Sequence, residues 1–214
     1  MEEEFLCVLF CPVLYKQAFF MHKFQNEDYI FILEVILMKT RKIVMIGMLS
    51  ALAFLLQVIG SIISLKVAGF LEIEFSDLPA IIGTLAYGPV AGVIIEFIKN
   101  LLHTFITSTG FVGELANFVM NGIYVFTVGV IYKYNKTKVG AFIALGIGTL
   151  AMAIGGAFAN LYIMLPLYMS SAPFMAKLNL VLFTITPFNI VKGLVTAVIT
   201  ILIYKRISPL LKDK

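Results

Sequence analysis

The sequence predicts an all-α integral membrane protein, a six-transmembrane-helix bundle with both termini cytoplasmic (N-in/C-in). Three observations carry that. First, 61% of the 214 residues are hydrophobic and only 13% are charged, with a mean hydropathy of +1.01. A soluble domain carries roughly 45–50% apolar and about 25% charged residues. This chain can form a core, but it has no polar skin left for water. Second, apolar runs approaching the roughly 20 residues that cross a bilayer recur from residue 43 onward. Third, the basic residues gather at the ends of those runs.

The chain divides in two by composition. Residues 1–37 hold six of the twelve acids (Glu2, Glu3, Glu4, Glu27, Asp28, Glu34), and Pro12, Lys16 and Glu34 break their apolar runs. This acidic opening lacks the basic first region of a signal peptide. At Met38 the pattern changes to Met-Lys-Thr-Arg-Lys and a long apolar run. Residues 1–37 therefore read as an N-terminal extension, not native or dispensable, and 38–214 as the membrane domain. The competing reading is an amphipathic helix on the membrane surface. Cys7 and Cys11 form neither a metal quartet nor a disulfide framework.

The predicted spans follow in order. Helix one is expected at about 43–65, and a loop with Lys66, Glu72, Glu74 and Asp77 follows. Helix two is short, about 78–87, and ends at Gly88-Pro89, a turn dipeptide. Helix three is expected at about 89–106, with proline in its first turn, where the missing N–H costs nothing. Residues 107–110 read as a polar loop. Helix four is expected at about 113–132, and helix five at about 139–165, stopping near Pro166. Residues 168–182 read as a long loop with a short interfacial helix, and helix six as about 187–204.

Basic residues set the orientation. Lys39, Arg41 and Lys42 precede helix one; Lys133, Lys136 and Lys138 lie between helices four and five; Lys205, Arg206, Lys212 and Lys214 follow helix six. With six crossings these ten of sixteen Lys and Arg share one side, the cytoplasm of a multi-pass cell-membrane protein. The net charge of +4 is thereby topology control, and no nucleic-acid partner is expected.

Ionisable and polar residues at membrane depth are costly, so each is a functional candidate. Asn189 and Lys192 lie three apart on one face of helix six. Lys192 needs an acceptor: a ligand, or a structural partner such as Glu96 or Glu114. Asn160 in helix five can read an amide or imide edge, since its side chain donates and accepts. Equally it can be interhelical glue. Glu96, Lys99, Asn100 and His103 form one helical stripe; Glu114, Asn117 and Asn121 form another. Glu96 and Lys99 can neutralise each other, and Glu114 suits the positive end of its helix. Asn117 and Asn121 remain pocket candidates. Phe188 is placed either to stack on a flat ligand or to join the aromatic belt, as Tyr162 and Tyr168 are.

Engines are missing. The chain has no phosphate-cradling loop, no H-E-x-x-H, no paired-carboxylate magnesium motif and no histidine with a triad. It lacks the inverted repeat of interrupted helices seen in self-contained transporters. It is not expected to be an enzyme, nor to need a cofactor or metal.

Several stretches together carry a resemblance: Glu-Ile-Glu-Phe-Ser-Asp-Leu-Pro, Tyr-Gly-Pro-Val-Ala-Gly, Glu-Phe-Ile-Lys-Asn-Leu-Leu-His, Gly-Glu-Leu-Ala-Asn-Phe, Ala-Asn-Leu-Tyr-Ile-Met-Leu-Pro-Leu-Tyr and Pro-Phe-Asn-Ile-Val-Lys-Gly. From about Met38 onward the chain resembles the substrate-binding S component of an energy-coupling-factor (ECF) vitamin transporter, of the riboflavin type. The resemblance implies capture of riboflavin from outside, and docking on a membrane coupling subunit driven by two ATPase subunits. It implies flavin contacts at Asn160, Asn189 and Lys192, and a first loop with Leu65, Lys66 and Val67 closing over the ligand. The family's coupling face is an Ala-xxx-Ala motif in helix one. Gly47 stands at its first position and Ala51 at its second. Riboflavin is flat, apolar on its faces and polar along one edge, which suits an apolar pocket with a few Asn and one Lys. The alternatives are an S component for another vitamin or precursor, a small intramembrane lipid enzyme, and a structural subunit without a ligand.

Overall fold

A computed structural model describes residues 39–62, 66–67, 71–72, 75–107 and 110–212. Residues 1–37, and with them the expected extension, lie outside the described residues. Contacts separate Met1–Val44 from Met45–Lys214. Of the first unit only the opening of one helix is described. The second unit holds everything that follows.

Six helices and one small hairpin are present among the described residues. Helix α1 covers Lys39–Ile62. Strands β1 (Lys66–Val67) and β2 (Leu71–Glu72) pair antiparallel, Lys66 opposite Glu72, inside the expected first loop. Helix α2 is Leu78–Tyr87, α3 is Pro89–His103 and α4 is Gly110–Tyr134. Helix α5 runs through Lys138–Tyr168. Helix α6 runs through Phe174–Leu180, Val181–Ile185 and Thr186–Lys212 without a break.

Local chemistry places these ends. Gly88 has φ +97°, a backbone state that an L side chain rarely adopts, and it folds α2 back on α3. Pro89 then opens α3. Side-chain neighbours pair about this turn: Gly83 faces Ile95, Gly92 faces Thr84, and Asp77 faces Lys99. A Cβ at Gly92 would collide with the Thr84 hydroxyl, so glycine is what lets the two helices close. At the start of α5 the Thr137 hydroxyl accepts from the Gly140 N–H at 3.0 Å, an N-cap.

Several expected boundaries move, two of them at prolines. Pro166 does not stop α5, and Pro187 does not start α6. Each proline lies two residues beyond a π-turn, Asn160–Met164 and Val181–Ile185. Proline removes an N–H and clashes with the carbonyl four residues back. Those carbonyls belong to Tyr162 and Phe183, inside the two widened turns, so the helix absorbs the proline by changing register. The expected long loop at 168–182 therefore shrinks to 169–173, and α6 begins at Phe174. Similarly, α3 ends at His103 rather than near 106, and α4 begins at Gly110.

Packing is antiparallel between sequence neighbours. Along α3 and α4, His103 meets Glu114, Asn100 meets Asn117 and Phe97 meets Phe118. Along α5 and α6, Gly156 meets Asn189 and Thr149 meets Gly193. The core is apolar at Ala53, Ile81, Ile95, Tyr124, Val125, Val128, Leu145 and Met152. The outer surface is apolar as well: Phe142, Ile154, Phe183 and Leu202 are all more than 60% exposed. A surface of that kind belongs in lipid. Helices α1, α4, α5 and α6 are long and apolar enough to cross a membrane. Helix α2, with ten residues, is about 15 Å long, half of a hydrocarbon layer of about 30 Å.

Candidate functional site

The deep polar residues assemble toward the end of the helical unit where α3 passes to α4 and α5 to α6. At their centre is Asp77, the residue before α2. Its place in the sequence puts it in a loop, yet it is 1% exposed. Its Oδ1 lies 2.7 Å from Lys99 Nζ and accepts from Asn121 Nδ2 at 2.8 Å. Its Oδ2 lies 3.0 Å from Lys192 Nζ. Lys192 thus finds a carboxylate in Asp77, a residue not among the expected candidates. The expected Glu96–Lys99 pair is present at 2.7 Å.

The amides extend this centre. Asn121 Nδ2 also donates to Asn117 Oδ1 at 2.8 Å, and Asn117 Nδ2 to Asn100 Oδ1 at 3.0 Å. Lys192 Nζ reaches Asn117 Oδ1 at 3.5 Å. Stacked in register, α3 and α4 thereby bring the two polar stripes read from the sequence face to face. A buried ion costs several kcal/mol unless paired and hydrogen-bonded. Here each of the four charges has an opposite charge within 3.0 Å.

Beside this centre, Asn160 and Asn189 converge on a residue that sequence patterning passed over. Both donate Nδ2 to Met120 Sδ, at 3.3 and 3.2 Å. A thioether is a weak acceptor, so a better partner can displace either bond cheaply. Asn160 opens the π-turn of α5, a helix irregularity that recurs at functional sites. Gly156 admits Asn189: a Cβ there would stand 3.1 Å from Asn189 Nδ2 and 3.0 Å from Met120 Sδ.

Among the described residues, three buried oxygens on these helices accept nothing: Glu96 Oε1, Asn121 Oδ1 and Thr186 Oγ1. Thr186 carries no helical pattern signal, which is why the sequence reading missed it. Buried polar atoms are normally satisfied, so these oxygens have acceptor capacity that the described residues leave unused.

The remaining expected residues fall elsewhere. Phe188 is half-buried and packs on the satellite cluster of Leu165, Val181 and Ile185. Lys66 and Val67 form β1, and Leu65 lies outside the described residues. Gly47 and Ala51 are exposed on α1, beside Met48, Leu52 and Leu55, and nothing stands within 4 Å of a Cβ built at Gly47. A separate cleft of about 350 Å³ between α3 and α4 is lined by Val93, Phe118, Val119, Gly122, Ile123 and Phe126. It is wholly apolar and holds none of the expected residues.

The arrangement, buried amides beside paired charges in an apolar unit, can hydrogen-bond an uncharged molecule. The family model for the substrate-specific component of ECF transporters matches residues 41–204. The chain belongs to that family. As an S component it is a transport protein and not an enzyme. It is 34% identical to the riboflavin transporter RibU of Staphylococcus aureus (strain TCH60) over 178 residues, 81% of this chain and 94% of that one. It is 34% identical to the riboflavin transporter FmnP of Bacillus subtilis (strain 168) over 185 residues, 83% of this chain and 97% of that one. A solved structure of the S component of a bacterial ECF transporter superposes with a TM-score of 0.70 at 32% identity, covering 82% of this chain and 99% of that one.

Proposed function

We propose that this S component captures riboflavin at the outer face of the cell membrane. It hands the vitamin to a membrane coupling subunit driven by two ATPases. The observation that carries the substrate is the pair of riboflavin transporters at 34% identity over nearly their whole length. The convergence of Asn160, Asn189, Lys192, Asn117 and Asn121 at one end of the helical unit supports the site. In this reading Asn160 and Asn189 exchange the Met120 sulfur for the polar edge of the isoalloxazine ring. Lys192 and Asn117 serve its other polar groups, Phe188 stacks on a ring face, and the segment with Leu65, Lys66 and Val67 closes over the ligand.

The topology proposed is six crossings, N-in and C-in, with α2 and α3 as short spans covered by their neighbours. The exposed Gly47–Ala51 face of α1 docks on the coupling subunit. Residues 1–37 are dispensable for binding.

Riboflavin fluorescence quenching on the purified protein tests the site. Lys192→Ala and Asn189→Ala are each expected to weaken binding at least tenfold, about 1.4 kcal/mol. Unchanged affinity in both variants refutes the site, and no quenching by the wild type refutes the substrate.

A further inference from the structure

We propose that Thr186 is a further ligand-contacting residue, its hydroxyl set free by the π-turn of α6 to hydrogen-bond the polar edge of the flavin. The proposal rests on the riboflavin reading and adds to it one binding side chain.

A threonine inside a helix has a ready partner in the carbonyl four residues back. Thr84, Thr149, Thr196 and Thr200 all take it, donating to the carbonyls of Ala80, Leu145, Lys192 and Thr196 at 2.7 to 2.9 Å. Thr186 does not. It follows directly on the π-turn Val181–Ile185, and its N–H pairs with the Val181 carbonyl, five residues back. The wider turn shifts the carbonyl row, and Thr186 Oγ1 is left buried with no partner among the described residues. A buried hydroxyl without a hydrogen bond is costly, so a ligand group that supplies one gains by it.

The packing of α5 on α6 places this hydroxyl. Gly156 meets Asn189 and Thr149 meets Gly193. The same antiparallel register sets the π-turn Asn160–Met164 beside the π-turn Val181–Ile185. Leu161 and Leu165 do pack with Val181 and Ile185 in one apolar cluster. Thr186, just past the end of one turn, therefore stands level with Asn160, which opens the other. It also precedes Asn189 by three residues, on one face of α6. Asn160 and Asn189 are the two amides that converge on Met120 Sδ. Two facing irregularities thus deliver polar groups to one level of an apolar unit. Because Oγ1 is closed off from the surface, lipid does not reach it. A hydroxyl both donates and accepts, so it complements a ring carbonyl or the imide N–H beside it.

Riboflavin quenching and ligand-free thermal unfolding, both on the full chain in detergent, test this together. Thr186→Val keeps the branched shape and removes the hydroxyl. Its affinity should fall about tenfold, about 1.4 kcal/mol. Its ligand-free melting temperature should hold or rise, because the atom removed had no partner. Thr186→Ser should bind within about twofold of the wild type. Thr200→Val, whose hydroxyl is spent on the Thr196 carbonyl, should leave the affinity unchanged.

Wild-type affinity in Thr186→Val overturns the assignment and leaves the riboflavin reading standing. A loss of affinity that comes with a loss of ligand-free thermal stability also overturns it, since the hydroxyl would then serve the fold. Should the valine variant not fold, Thr186→Ala set against Thr186→Ser decides, because these two differ only in the hydroxyl: equal affinities overturn the assignment. A wild type that binds no riboflavin overturns the riboflavin reading itself, and this proposal with it.

Discussion

Lys192 Nζ lies 3.0 Å from Asp77 Oδ2, tying the last helix to the residue that opens α2. The same aspartate holds Lys99 at 2.7 Å, and Lys99 also holds Glu96 at 2.7 Å. The two lysines therefore carry different loads. Lys99 neutralises two buried carboxylates, and Asp77 keeps Lys99 when Lys192 is removed.

That asymmetry separates stability from binding. Lys99→Met should lower the melting temperature sharply, because breaking a buried pair costs about 3–5 kcal/mol. Lys192→Met should lower it less while weakening riboflavin binding at least tenfold. Thermal unfolding in detergent beside a quenching titration gives both numbers. Equal melting losses in the two variants would contradict the division of labour.

Much of this site was legible in the sequence because its members sit on helices. Helical spacing places Glu96, Lys99, Asn100 and His103 on one face, and Glu114, Asn117 and Asn121 on another, and those faces do meet. Asp77 was not legible. It follows Glu72 and Glu74 in a polar stretch, and only the fold-back at Gly88 carries it down to Lys99. Met120 was hidden for the opposite reason: an apolar residue among apolar residues has no contrast. The prolines misled because their usual effect is to end helices, and a π-turn that absorbs one leaves no compositional mark.

Gly156 offers a steric handle on the same pocket. A Cβ there would meet Met120 Sδ at 3.0 Å and Asn189 Nδ2 at 3.1 Å, whereas a Cβ at Gly146 meets nothing within 4 Å. Gly156→Val should push Asn189 aside and weaken riboflavin binding about tenfold or more. Gly146→Val, on the same helix with the same loss of flexibility, should leave the affinity within about twofold. Equal effects would assign both to helix propensity rather than to Asn189.

The exposed face of α1 predicts a different split. Gly47 and Ala51 touch no core and stand beside exposed Met48 and Leu52. Small residues let helices approach closely in lipid. Gly47→Leu should therefore leave riboflavin affinity of the isolated protein unchanged and abolish ATP-driven uptake when the coupling module is supplied. Uptake at the wild-type rate in vesicles would place the docking face elsewhere.

The last prediction concerns the link between α1, α3 and α4. Glu114 Oε1 lies 2.9 Å from His103 Nδ1, and Glu114 Oε2 accepts from Gln57 Nε2 at 3.0 Å. His103 Nε2 in turn lies 3.3 Å from Ser61 Oγ. Glu114→Ala strands two buried groups at once. Each stranded group costs about 1–3 kcal/mol, so a large loss of thermal stability is expected. Glu114→Gln should cost much less. Its carbonyl can still serve His103, and its amide can donate to Gln57 Oε1, which has no partner in the native arrangement, once the Gln57 amide turns over. Thermal unfolding of the two variants checks this. A glutamine variant as unstable as the alanine variant would show that the negative charge of Glu114, and not its hydrogen-bonding capacity, holds α1 to its neighbours.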